Sequence, residues 1–280
     1  MYPRRFVKLA DLPDDRLFPE LETGLALIAH NATRLAHAAM ALSDAGHARP
    51  ARILASHAED ESGKFLILMD AARCPGNRRP EHLKRTGQHL ARLLYAETAK
   101  LSPATFEEIV GYINSSRKSH YLDGHIGIEW VFRNSILYWR EQALYVDYVE
   151  QEDGTCAWQD PDQFDKLFGD HGDPSRPFTF AADLVAALVE ARLHVSPALG
   201  IVAARWHTFV PSDATHISEV RLLIRQTLED LERQGMLGGA EDAWARIIEH
   251  WTFPLWNADL SEEKIKLSQL HEERERLNWE

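Results

Sequence analysis

Three stretches of the chain carry residue types able to do acid–base or phosphate chemistry. In "HAEDESGKFLIL", residues 57–68, the apolar positions Leu54, Ala58, Phe65, Leu68 and Ala72 follow helical spacing, and Glu61 fills the slot that completes the series. A carboxylate on an apolar stripe needs a cation, either Lys64 three residues on or a group from another helix. Gly63, between them, costs a helix about 1 kcal/mol relative to alanine. Its usual compensation is close approach of a second backbone, so another helix is expected to cross here. A structural ion pair is the first reading of Glu61, and direct catalysis the second. In "LKRTGQHLARLL", His89 lies between Arg85 and Arg92, which makes either a solvated basic face or a patch able to hold phosphate. In "REQALYVDY", Arg140 and Tyr145 are five apart, about 140° around an ideal helix, so they converge only by reach or through a loosened last turn.

Other arrangements are less specific. His120, Asp123 and His125 in "HYLDGH" have donor types suited to a metal. Arg52 and His57 are five apart on the same helix as Glu61. There is no HExxH, no GxSxG and no glycine-rich phosphate loop, so the chemistry suggested by these residues calls for no cofactor and no metal.

The elements that must position these groups are helical. Periodicity predicts helices over about 22–44, 50–74, 80–100, 103–118 and 128–148, the last holding Phe132, Trp139, Ala143 and Val146 toward a core. "HYLDGH" is expected to be a loop. Residues 151–177, rich in Asp, Gly and Pro, read as a long acidic loop. Helical patterns return over 181–194, 197–209, 216–234, 240–251 and 261–277. The expected fold is all-α: a helical bundle over 20–150, the acidic loop, and a further helical region over 178–280.

Composition narrows the function classes. Apolar residues make up 45% and charged residues 26% of 280, the balance of a packed domain. No apolar run approaches the roughly 20 residues that span a bilayer, and "MYPRRFVKLADLPDD" lacks the apolar core of a signal peptide, so no membrane contact is expected. Two cysteines, Cys74 and Cys156, without paired spacing point to a reducing cytoplasm. A net charge of −12 weighs against nucleic-acid binding unless a local basic patch supplies the contact.

Taken together, Asn31-Ala32 on the first helix, "RPARILASHAEDESGKFLIL" on the second, His89 with a basic residue at i+3, and an Arg-x4-Tyr-Val-Asp ending resemble the AbiV-type abortive-infection proteins of the HEPN superfamily. The family signature Ala-x-Glu-Glu-x-Gly-Lys stands here as Ala58-Glu59-Asp60-Glu61-Ser62-Gly63-Lys64, with Asp60 in the first acidic slot. The resemblance covers roughly residues 20–160 and none of 178–280. It implies a helical bundle that forms a homodimer in a cytoplasmic anti-phage system. Many HEPN domains are metal-independent RNases with Arg-x4-6-His near the end of the last bundle helix. Arg140 matches that arginine, while Tyr145 stands where the histidine is expected. The resemblance therefore points to a polar cluster of Glu61, Lys64, His89, Arg140 and Tyr145, with Glu61 orienting Arg140 and His89 replacing the missing histidine. The activity it implies is RNA cleavage; the alternative is a non-catalytic helical module that senses or sequesters a phage or host protein.

Overall fold

The computed structural model describes residues 5–123, 130–137, 144–150, 155–159 and 179–277. Its fold is all-α, as the periodicity predicts. Ten α-helices are seen among the described residues: α1 Asp14–Asp44, α2 Ala48–Arg73, α3 Arg79–Lys84, α4 His89–Thr98, α5 Phe106–Ser116, α6 Phe180–Glu190, α7 Ser196–Trp206, α8 Ile217–Arg233, α9 Glu241–His250 and α10 Leu267–Leu277. Two short antiparallel hairpins complete it, β1 His120–Asp123 with β2 Trp130–Arg133, and β3 Asp147–Glu150 with β4 Cys156–Gln159.

Helix α2 is the axis of the molecule. α1 packs along it, and their buried faces are lined by alanine: Ala29, Ala32, Ala36 and Ala39 on α1, and Ala51, Ala55 and Ala58 on α2. Such small side chains let two helices approach closely. Beyond Ala58 nearly every position of α2 is buried, because α4, α6 and α7 close around it. α1 starts eight residues before the expected position and runs through Pro19. The amide that proline lacks is offset by the burial of Leu17, Phe18 and Leu21 around it.

Helices α6 to α9 share one hydrophobic core with α1, α2, α4 and α5. α6 and α7 pack directly on α1 and α2, so the acidic stretch does not separate two cores. After α9 the chain runs without regular helix from Trp251 to Lys266, and most of its apolar side chains are buried.

Several expected elements differ from the structure: the last helix begins at Leu267 rather than 261, and Cys156–Gln159, within the expected acidic loop, is strand β4. The helix expected over 80–100 is broken. Thr86 Oγ1 donates to Leu83 O (2.6 Å), the chain tightens through Arg85–Gly87, and Gln88 is extended before α4 begins at His89. Of the helix expected over 128–148, the described residues show strand β2 at Trp130–Arg133, helical residues at 135–137, and strand β3 at Asp147–Glu150. The aromatic and β-branched run Trp130-Val131-Phe132 suits a strand as well as a helix, and pairing with β1 decides between them. Asn134 then fixes the turn: its backbone N–H donates to Ser119 O (2.7 Å), its Nδ2 to Ser116 O and Lys118 O, and its Oδ1 accepts from Leu137 N (3.0 Å). "HYLD" is thus a strand rather than a loop. Trp139, Arg140 and Ala143 lie outside the described residues, as does His125.

Candidate functional site

The site forms where α2 crosses α4. A Cβ at Gly63 would lie 1.9 Å from the carbonyl oxygen of Arg92, so only glycine permits the crossing. One turn earlier on α2, Asp60 reaches α4 with both oxygens. Oδ1 lies 2.9 Å from His89 Nδ1, and Oδ2 accepts from Arg92 Nη1 at 2.8 Å. Arg92 Nε donates to Thr86 O (2.8 Å), the carbonyl freed by the break before α4. Asp60 and Arg92 are buried, at 4% and 2% exposure, whereas the His89 side chain is 40% exposed. The arrangement has a chemical consequence. The buried carboxylate takes the Nδ1–H of His89, which leaves Nε2 as the free nitrogen, able to accept or deliver a proton.

His89 opens onto a groove of about 340 Å³. Gln88 and Leu90 line it from α4, Leu137 from the turn after β2, and Leu260, Ser261 and Glu262 from the irregular C-terminal segment.

The structure distributes the residues singled out from the sequence. Glu61 and Lys64 pair with each other along α2, with side chains 19% and 15% exposed, and neither lines the groove. Glu61 therefore sits beside the buried stripe, and its partner is the lysine on its own helix. The buried carboxylates of α2 are Glu59, Asp60 and Asp70. Tyr145 lies in the chain before β3, is 58% exposed and does not line the groove. Arg140 lies outside the described residues. Asp60 and Arg92 complete the His89 unit. Their signal was an acid one turn before a close-approach glycine, and an arginine one turn after the histidine. Among the described residues no group of three His, Cys, Asp or Glu side chains could hold a metal, and no helix is long and apolar enough to cross a membrane.

Two further buried polar clusters are structural. In the first, Asp70 accepts from Arg73 Nε (2.7 Å) and Nη2, Tyr95 OH (2.7 Å) and Leu255 N (2.9 Å). Arg73 also donates to Thr252 O (2.8 Å) and lies over the rings of Trp206 and Trp251.

In the second, Glu59 accepts from Ala181 N at the start of α6 (2.9 Å) and faces Lys100, which also pairs with Glu97. Burial outweighs the Lys100 cation and the Ala181 amide and raises the Glu59 carboxyl to about 7. The folded state then holds a proton that the unfolded chain releases above about pH 4.5. Stability from this group is full below pH 4.5 and is lost as pH rises to about 7, by at most about 3 kcal/mol. His82, fully buried against Ile67 O, has the opposite slope. Burial lowers it to about 4, so its contribution is full above pH 6.5 and is lost as pH falls toward 4. The two oppose each other between pH 4.5 and 6.5. Glu59→Gln keeps an acceptor for Ala181 and is expected to abolish the fall in melting temperature between pH 6 and 7.5. A variant whose melting curve parallels wild type over that range would show that Glu59 is already ionised in the fold.

Comparison of the chain with family models, curated proteins and solved structures finds no match.

Proposed function

We propose that the chain is an AbiV-type abortive-infection protein of the HEPN superfamily, a cytoplasmic anti-phage effector that cleaves RNA without a metal. The observation that carries this reading is the Asp60–His89 pair: a buried carboxylate, braced by Arg92, holding a part-exposed imidazole at the wall of a groove. Such a pair moves protons, and phosphodiester cleavage beside a ribose hydroxyl needs a group of that kind. His89 takes the acid–base role that the resemblance assigns to the histidine missing at Tyr145. Arg140 keeps the phosphate-contacting role, for which a planar, permanently charged guanidinium suits. Leu137, three residues before it, lines the His89 groove.

A second reading, a module that holds a phage or host protein, is favoured by one observation. Tyr145, Val146, Tyr148 and Trp158 are all more than half exposed on and beside the second hairpin. The Tyr148 and Trp158 rings pack together, 5.1 Å between centroids. The same surface would serve a homodimer.

The test is expression of wild type, Arg140→Lys, His89→Ala and Trp158→Ser in phage-challenged bacteria, read as protection, total RNA integrity and the melting temperature of each purified protein. For an RNase, wild type degrades RNA, Arg140→Lys and His89→Ala lose degradation and protection with melting temperature held, and Trp158→Ser retains both. For a binding module, RNA stays intact throughout and only Trp158→Ser loses protection.

A further inference from the structure

We infer that Glu262 is the second proton-transfer group of the His89 groove: its carboxylate takes the proton of a ribose 2′-hydroxyl while His89 Nε2 delivers one to the departing oxygen. The inference rests on the RNase reading above and gives the C-terminal region a place in the reaction.

The chemistry demands two groups. The 2′-oxygen forms a bond to phosphorus as its proton passes to a base. The bond from phosphorus to the 5′-oxygen breaks as an acid protonates that oxygen. The products are a 2′,3′-cyclic phosphate and a free 5′-hydroxyl, with no oxidant or co-reactant. After the turn, imidazole and carboxyl exchange a proton with solvent and return to their starting forms. His89 alone cannot take both roles in one step.

Among the described residues that line the groove, Glu262 is the other one whose side chain is an acid–base group. It is exposed and makes no hydrogen bond or ion pair with any described residue. Its neighbours differ. Asp259 pairs with Arg117 (3.0 Å) and accepts from Ser261, and Glu263 pairs with Arg117 (3.5 Å). Two of the three carboxylates between 259 and 263 are thus tied down, and the third belongs to a residue that lines the groove.

The segment that carries it is irregular yet pinned on both sides. Arg85 donates to Leu255 O and Ala258 O, both at 2.6 Å. Glu263 N donates to Arg117 O (2.9 Å), Ser119 N donates to Glu263 O (2.8 Å), and Ile265 N donates to Ser119 Oγ (2.9 Å). Bonds this dense on a segment without helix or sheet hold residues 260–262 in a fixed position against the start of α4. On the opposite wall Asp60 fixes His89. The His89 ring is therefore fixed by a bond from α2, and the backbone that carries Glu262 is fixed by bonds along the chain after α9.

The test uses the purified full chain and a dye–quencher single-stranded oligoribonucleotide, with kcat/KM followed against pH and products analysed for the cyclic phosphate. Wild type is expected to give a bell-shaped profile. Glu262→Gln should lower kcat/KM by about a hundredfold or more and remove the acid limb, Glu262→Asp should recover part of the rate with the limb restored, and His89→Gln should remove the alkaline limb. Melting temperatures of the Glu262 variants should match wild type, because the side chain is exposed and pairs with none of the described residues. If wild type cleaves, His89→Gln does not, and Glu262→Gln keeps the wild-type rate and both limbs, the Glu262 assignment is overturned and the RNase reading stands. If wild type leaves the oligoribonucleotide intact, both are overturned.

Discussion

Asp70→Ala is expected to lower stability by about 3–5 kcal/mol, because it strands a buried arginine. Asp70 is fully buried, and its two oxygens accept from Arg73, Tyr95 and the Leu255 amide. Removing it leaves the Arg73 guanidinium, 2% exposed over two tryptophan rings, without its counter-charge. It also orphans the Tyr95 hydroxyl, a phenol that burial and the Asp70 carboxylate hold well above its usual range. Domains are typically stable by about 5–15 kcal/mol, so the loss is a large share of the total. In a chain of this size it corresponds to a fall in melting temperature of about 10 °C. The double variant Asp70→Leu/Arg73→Met replaces the pair with apolar groups and is expected to recover most of the loss. Thermal unfolding of the three proteins checks this. Asp70→Ala melting within about 2 °C of wild type would mean that water already satisfies Arg73. The same variant loosens the segment from Thr252 to Leu255 that leads to the groove wall, so any activity at His89 should fall with it.

The sequence carried the long helices and the Gly63 crossing, because helical periodicity and a glycine in mid-helix are local signals. It did not carry which acid faces the crossing. A helical wheel assigns an angle to Glu61 and Asp60 but not the element that arrives at that angle. α4 arrives on the Asp60 side, while Glu61 is left to Lys64. The break at Arg85–Gln88 contains no proline. It rests on Thr86 Oγ1 bonding Leu83 O and on Arg92, itself held by Asp60 of α2, binding the Thr86 carbonyl. The strands at Trp130 and Asp147 were hidden for a related reason. Their aromatic residues satisfy helical spacing as well as alternation, and the hairpin partner decides. Least legible was the chain from Trp251 to Lys266, whose partners Asp70, Arg85, Arg117 and Ser119 are more than a hundred residues away. No periodicity marks such a segment, and half of the groove depends on it.

Gly63→Ala inverts the ordinary rule for glycine in a helix. Alanine is the better helix former by about 1 kcal/mol, and on an open face the exchange stabilises. Gly111, exposed in α5 with nothing within 4 Å of an added Cβ, is such a face, and Gly111→Ala is expected to raise stability by about 0.5–1 kcal/mol. At Gly63 the added carbon would stand 1.9 Å from Arg92 O and 2.5 Å from Arg92 C, both backbone atoms of a buried helix. No rotamer relieves this contact, so α4 must move away by more than 1 Å. That shift opens the core around Leu90, Leu94 and Tyr95 and separates Asp60 from His89 and Arg92. Overpacking of a tight core costs about 1–3 kcal/mol and more where backbone must move, so Gly63→Ala is expected to lose about 3 kcal/mol despite the helix gain. The comparison with Gly111→Ala by chemical denaturation isolates the crossing from helix propensity. The His89 ring resonances should also shift in Gly63→Ala and stay in place in Gly111→Ala, because only the first disturbs the Asp60 bond. Equal gains in stability at both positions would mean that α2 and α4 do not meet at Gly63, and the geometry that orients His89 would fall with that crossing.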